Sequence, residues 1–168
     1  MTIGKPLPFD PIDEAARQWR AHGWDDAAPG MAAVTSVVRA QQLMMAQVDE
    51  VLRPLDLTFA GYELLTLLSF SRAGSLPLSR IGTLLQVHPA SVTSAVDRCE
   101  ARGWVRRKPH PNDRRTTLGE LTAAGRSLIA TATSQINASV FENLGLSGAD
   151  LHSLIDVLAR FRHRAGDF

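Results

Sequence analysis

From Met31 to Leu55 one line of positions recurs at alternating intervals of three and four: Met31, Val34, Val38, Gln41, Met45, Val48, Leu52 and Leu55. A second line, Val37, Ala40, Met44 and Val51, runs beside it. The spacing predicts a long helix from Met31, and a stripe this wide must be covered from two sides. Pro54 disfavours helical geometry at Arg53 and ends it. With 168 residues, 45% of them hydrophobic, the chain fits one compact domain with one core.

The flanks are also helical. Residues 1–30 carry Pro6, Pro8, Pro11 and Pro29 and read as an arm with one short helix, capped by Asp10, opened by Pro11 and followed by Gly23. Its Ile12, Ala16 and Trp19 share a face that must pack on the body or on another subunit, because so short a helix is unstable alone. Thr58 caps a helix of about Phe59 to Ser71 that Ala73, Gly74 and Ser75 break. Near the other end, Thr122 caps a helix carrying Leu128, Ile129, Ala132, Ile136, Val140 and Leu144. Ser147 and Asp150 start another, with Leu151, Leu154, Ile155, Leu158 and Phe161.

Between these lie two short helical patterns joined by a tight turn, Leu78 to Leu85 and Pro89 to Arg102, with Gly103 suited to a left-handed end. This is the size of a helix-turn-helix. Val92, Ala95, Val96 and Cys99 form the inner face of the second helix. Its outer face, Ser91, Ser94, Asp97 and Arg98, is small and polar near the start, which lets backbone approach base edges in a major groove. Trp104 to Lys108 and Thr116 to Leu121 read as paired strands around a polar tip, Pro109 to Arg115. An arginine-tipped hairpin beside a helix-turn-helix is a wing.

Charge follows the same division. The net charge is +1, yet residues 72–115 hold nine basic residues against three acids, while residues 1–71 balance at −4 and residues 116–168 at −1. A basic middle between neutral-to-acidic flanks suits a phosphate-binding module.

The chain resembles the MarR family of winged helix-turn-helix transcription regulators over roughly residues 31–165. The resemblance rests on Leu57-Thr58, on Val92-Thr93 to Val96-Asp97-Arg98, on Glu100-Ala101-Arg102-Gly103-Trp104-Val105-Arg106-Arg107, and on Asn112-Asp113-Arg114-Arg115 continuing to Leu121-Thr122 and Gly125-Arg126. It implies a mainly α fold with a small β wing: a winged helix-turn-helix over residues 57–120, and a helical dimerisation layer from residues 31–56 and 121–168. It implies a homodimer that sets one recognition helix and one wing per subunit on half of a palindromic double-stranded DNA operator. The apolar surface of the long and terminal helices exceeds what a small winged domain covers, which independently favours a shared layer.

On this resemblance Ala90, Ser91, Thr93, Ser94 and Arg98 meet bases or nearby phosphates. Arg114 or Arg115 enters the adjacent minor groove, with Asp113 holding an arginine by a charge-assisted pair. Arg80, Arg107 and Lys108 are phosphate candidates. The family implies a small aromatic or lipophilic anionic inducer bound between dimer layer and winged domain, here drawing on Gln41, Met45, Tyr62 and Phe70, with Arg39 as anion partner. Methionines suit such an adaptable pocket, though they equally fill a core.

The chain departs from the family at four places. His88 stands where a small polar residue is usual and is a weaker cap, a phosphate contact or a plain surface residue. Gln86 stands near a usual glycine, Cys99 replaces an aliphatic residue, and Gly119 makes the second wing strand's regularity doubtful.

Other chemistries find less support. Cys99 sits on an inner helix face, so it reads as core rather than as a redox sensor, which needs an exposed thiol near a cation. His152 and His163 share a face but lack further ligands at metal-binding spacing, so no metal or other cofactor is expected. No nucleophile elbow, phosphate-binding glycine loop or paired His-Glu-His set marks an enzyme. A winged-helix protein-interaction module is the remaining alternative. The start lacks the layout of a secretion signal and no stretch approaches a membrane span, so the expectation is a cytoplasmic protein without a membrane partner.

Overall fold

A computed structural model describes residues 7–168, with the Arg114 side chain set aside. The first six residues of the proline-rich arm lie outside the described residues. Helix α1 (Pro11–Ala21) starts as expected: Asp10 accepts the Ile12 N–H at 2.8 Å and proline occupies the first turn. It packs along the next helix, α2 (Ala28–Leu52). That helix begins three residues before Met31, because Pro29 sits in its first turn, where a missing N–H costs nothing. α2 ends at Leu52 as anticipated, but not for the reason expected: Arg53 keeps helical dihedrals (φ −57°, ψ −42°) before Pro54, and the chain tightens into a 3₁₀ turn at Arg53–Leu55.

Thr58 caps α3 (Phe59–Phe70) through the Gly61 N–H, and Leu64, Leu65 and Leu68 are fully buried. The helix-turn-helix follows as α4 (Leu78–Leu85) and α5 (Pro89–Ala101). The sheet has three strands, β1 (Ser75–Pro77), β2 (Val105–His110) and β3 (Asp113–Leu121), in the antiparallel order β1-β3-β2.

Three features differ from the sequence reading. Ala73, Gly74 and Ser75 read from sequence only as a helix break, with no strand after them; Ser75 instead starts β1 and pairs with Glu120, and the Gly74 carbonyl accepts the Leu121 N–H at 2.8 Å. The hairpin tip shrinks to Pro111 and Asn112, because both strands run on through residues expected to be loop, and the irregularity falls at Pro109/His110 rather than at Gly119. Gly119 fits a regular central strand because a Cβ there would lie 3.3 Å from a Leu78 methyl, so its lack of a side chain lets α4 close on the sheet.

Beyond the wing, Thr122 caps α6 (Ala123–Ile136). The helix was expected to run regularly to Leu144; instead it widens into a π turn at Asn137–Phe141, where the Asn143 amide donates to the Ala138 carbonyl. Last comes α7 (Gly148–Arg164), capped by Ser147, none of whose residues is buried. One core joins the C-terminal half of α2 to α3, α4, α5, the sheet and α6. The first half of the α2 stripe is left bare, with Val34 66% exposed, and α7 presents Ile155 at 62% and Phe161 at 70%.

Candidate nucleic-acid interface

The recognition helix α5 begins at Pro89, and the His88 ring nitrogen accepts the Ala90 N–H at 3.2 Å. His88, itself exposed, thus caps the recognition helix in the free chain. Val92, Ala95, Val96 and Cys99 are buried, as their spacing predicts. Ala90, Ser91, Thr93, Ser94, Asp97 and Arg98 are exposed on the other side. The Thr93 hydroxyl donates back to the Pro89 carbonyl at 3.1 Å, leaving Ser91, Ser94 and Arg98 as the polar groups of that face without a side-chain partner among the described residues.

Strand alternation divides the wing cations between two sides. Arg107 points towards α5, where its guanidinium donates to Asp97 at 2.6 Å and pairs with Glu100, while its backbone N–H donates to Glu100 at 2.8 Å. Backbone and guanidinium donors from Arg107 hold the Glu100 carboxyl below its ordinary range. On the opposite side Arg106 and Lys108 flank Glu120. Arg106 donates to it twice, at 3.1 and 2.8 Å, and Lys108 adds an ion pair. These donors push Glu120 down to about 2. Arg107 and Lys108, read as phosphate candidates, are thus already partnered in the free chain.

At the wing tip the Asp113 carboxylate accepts the Arg115 backbone N–H at 3.0 Å and the Thr116 hydroxyl at 2.7 Å. Asp113 therefore shapes the turn, gripping the backbone of Arg115 and the Thr116 hydroxyl among the described residues. The Arg114 side chain lies outside the described residues. Arg80 on α4 and Arg115 on β3 are exposed, without an ion pair among the described residues.

Two further residues fix the frame and escaped the sequence reading. Arg102 at the end of α5 pairs with Asp56 before α3 and lies over the Trp104 ring at 5.7 Å. Glu120 stands opposite Arg106 in register, and alternation along β2 was the signal that pointed to it.

An open cleft of about 750 Å³ runs beside α2, lined among others by Gln41, Met45, Gln42, Glu50, Arg53 and Thr58. It brings together two of the five expected ligand residues. Arg39 is exposed and donates to Gln42 at 3.1 Å. Tyr62 is buried against the Thr133 hydroxyl at 3.4 Å, and Phe70, 81% exposed, stands at the far end of α3. Neither is part of the cleft lining. Among the described residues no three His, Cys, Asp or Glu side chains gather into a metal-holding group, and no helix is long and apolar enough to cross a membrane.

A two-helix reader with a basic β-hairpin beside it defines a winged helix-turn-helix. The MarR family model matches residues 61–117, from α3 into the wing. A MarR family transcriptional regulator from Streptomyces coelicolor, of known structure, is 43% identical and superposes with a TM-score of 0.76, covering 83% of this chain and 97% of that one. The chain belongs to the MarR family.

Other relatives agree with this placement. The multiple antibiotic resistance protein MarR of Escherichia coli is 35% identical over 48% of this chain and 54% of its own. A mutant of that protein complexed with operator DNA superposes with a TM-score of 0.70 at 25% identity, over 76% of this chain and 91% of the other. CouR from Rhodococcus jostii, solved with p-coumaroyl-CoA, superposes with a TM-score of 0.63 at 25% identity, over 73% of this chain and 85% of that one. The chain spans 64% and 54% of the length of the first two curated relatives it matches. The family's matched members are transcriptional regulators, not enzymes.

Proposed function

We propose that this chain is a DNA-binding repressor that occupies a palindromic operator as a homodimer and releases it when a small ligand binds. The observation that carries this reading is the Arg107 bridge. By fastening β2 to Asp97 and Glu100 of α5, it makes the polar face of the recognition helix and the arginine-bearing wing one continuous surface. Ser91, Ser94 and Arg98 face the major groove there, with Ala90 and Thr93 alongside. Arg114 or Arg115 reaches the neighbouring minor groove, and Arg80 and Lys108 meet phosphate.

The dimer reading draws on the bare apolar residues of α2 and α7, with α1 packed along α2 to reinforce the same layer. Residues 31–56 and 121–168 form that layer and residues 57–120 the reader. The ligand proposal is a small aromatic or lipophilic anion in the cleft beside α2, with Arg53 as the lining cation and Gln41 and Met45 as contacts. Such a ligand lowers DNA affinity only by as much as it prefers the other spacing of the two readers.

The test is selection of bound fragments from a genomic DNA pool, followed by affinity measurements at several salt concentrations. Binding that falls steeply with salt and a two-fold symmetric footprint support the proposal. Salt-insensitive binding, or no enrichment, leaves the protein-interaction alternative in its place. A redox role for Cys99 is disfavoured because its thiol is 2% exposed and burial pushes it up to about 11.

A further inference from the structure

The turn between α4 and α5 sets the angle at which the recognition helix stands, and its hinge residue is unusual. Gln86 closes α4 in the left-handed region, at φ 54°, where a side chain is strained and glycine is the natural choice. What its side chain does offers a reason. The Gln86 amide donates to the Asp167 backbone carbonyl at 2.9 Å and to the Asp167 carboxylate at 3.1 Å. The same carboxylate accepts from the Arg162 guanidinium at 2.6 Å, and Arg162 returns at 3.5 Å to the Gln86 amide oxygen.

The segment beyond α7 is shaped to reach this point. It reverses through Gly166, at φ 73°, and the Arg162 guanidinium lies over the Phe168 ring at 5.1 Å. Apart from the Ser147 cap, these are the only hydrogen bonds among the described residues from α7 and its extension to the rest of the chain. α7 buries no residue and keeps Ile155, Val157 and Phe161 exposed. The helix whose apolar face is free for a partner is therefore tied by polar contacts to the turn that aims the reader.

We infer that Gln86, Asp167 and Arg162 are positioning residues for DNA binding, fixing the recognition helix of each chain relative to its own α7. The inference rests on the proposed function only in assigning α7 to the dimer layer; the tie itself is a property of one chain.

The test places spin labels at Thr83 on α4 and Arg160 on α7, both exposed, in the full chain with Cys99→Ala and diluted with unlabelled protein so that distances within one chain are read. A single narrow distance is expected, broadening in Gln86→Gly and in Asp167→Ala. Gln86→Gly relieves the left-handed backbone, so its melting temperature stays level or rises. Operator affinity nevertheless drops about fivefold, the scale of a small exposed hydrogen-bond network, and the double variant binds no worse than either single one.

Unchanged distances in both variants overturn the tie. Broadened distances with unchanged affinity overturn the positioning role. If the unaltered protein binds no DNA, the repressor reading fails while the distances still decide the tie.

Discussion

Arg107 on β2 donates to Asp97 on α5 at 2.6 Å, so a wing cation neutralises the one acid on the exposed face of the recognition helix. Left alone, Asp97 would repel phosphate. Replacing Arg107 by alanine removes the guanidinium's hold of the wing on α5, leaving the backbone bond to Glu100, and uncovers that charge. Operator affinity is expected to fall by about 1–3 kcal/mol. A double-mutant cycle with Asp97→Ala should return a coupling of about 0.5–1 kcal/mol, since the pair is only partly shielded from water. Strict additivity in both stability and binding would show that the bridge is incidental.

Arg115 offers a cleaner probe of direct contact, because its guanidinium forms no ion pair among the described residues and only its backbone is held by Asp113. Arg115→Ala should weaken operator binding by about 1–3 kcal/mol and leave thermal stability within about 0.5 kcal/mol. Footprints and affinities unchanged in Arg114→Ala, Arg115→Ala and the double variant would remove the wing from the interface.

The recognition face was legible from spacing alone. Val92, Ala95, Val96 and Cys99 alternate with Ser91, Ser94 and Arg98 in a period that only a helix packed on one side satisfies, and the caps at Asp10, Thr58, Thr122 and Ser147 are local in sequence. What stayed hidden depends on tertiary placement. Ser75-Leu76-Pro77 is too short for a strand period and becomes one only because the far half of β3 offers it an edge. Gly119 read as a defect because its neighbour, the Leu78 side chain, is forty-one positions away in sequence. Charge pairs Asp113 with an arginine in the sequence, but only tight-turn geometry brings the Arg115 backbone and the Thr116 hydroxyl to it. Phe70 and Tyr62 join one expected pocket only through the family resemblance, and α3 sets them at different places, Tyr62 buried and Phe70 exposed at its end.

The Glu120 cluster predicts how the wing responds to acid. Arg106 and Lys108 hold this carboxyl at about 2 in the fold, against 4.5 for an ordinary glutamate. A depressed folded value means the stabilisation is fully present above pH 4.5 and is lost as pH falls towards 2. The melting temperature of Glu120→Gln should therefore lie below that of the unaltered chain at neutral pH, with the gap closing through this acid window. A gap constant from neutral pH down to pH 2 would mean that the cluster contributes no proton linkage.

Gly125 permits a close approach that no other residue allows. A Cβ there would sit 2.2 Å from the carbonyl oxygen of Trp104, the residue before β2, where the start of α6 closes on the chain. Alanine normally favours a helix by about 1 kcal/mol over glycine, but the clash is with backbone, which cannot rotate away. The strain should win, and Gly125→Ala is expected to destabilise the chain by about 3 kcal/mol or more in denaturant unfolding. Gly148→Ala, in open space at the start of α7, is the control and should be neutral or slightly stabilising. If both substitutions behave alike, the packing of α6 against Trp104 described above is wrong.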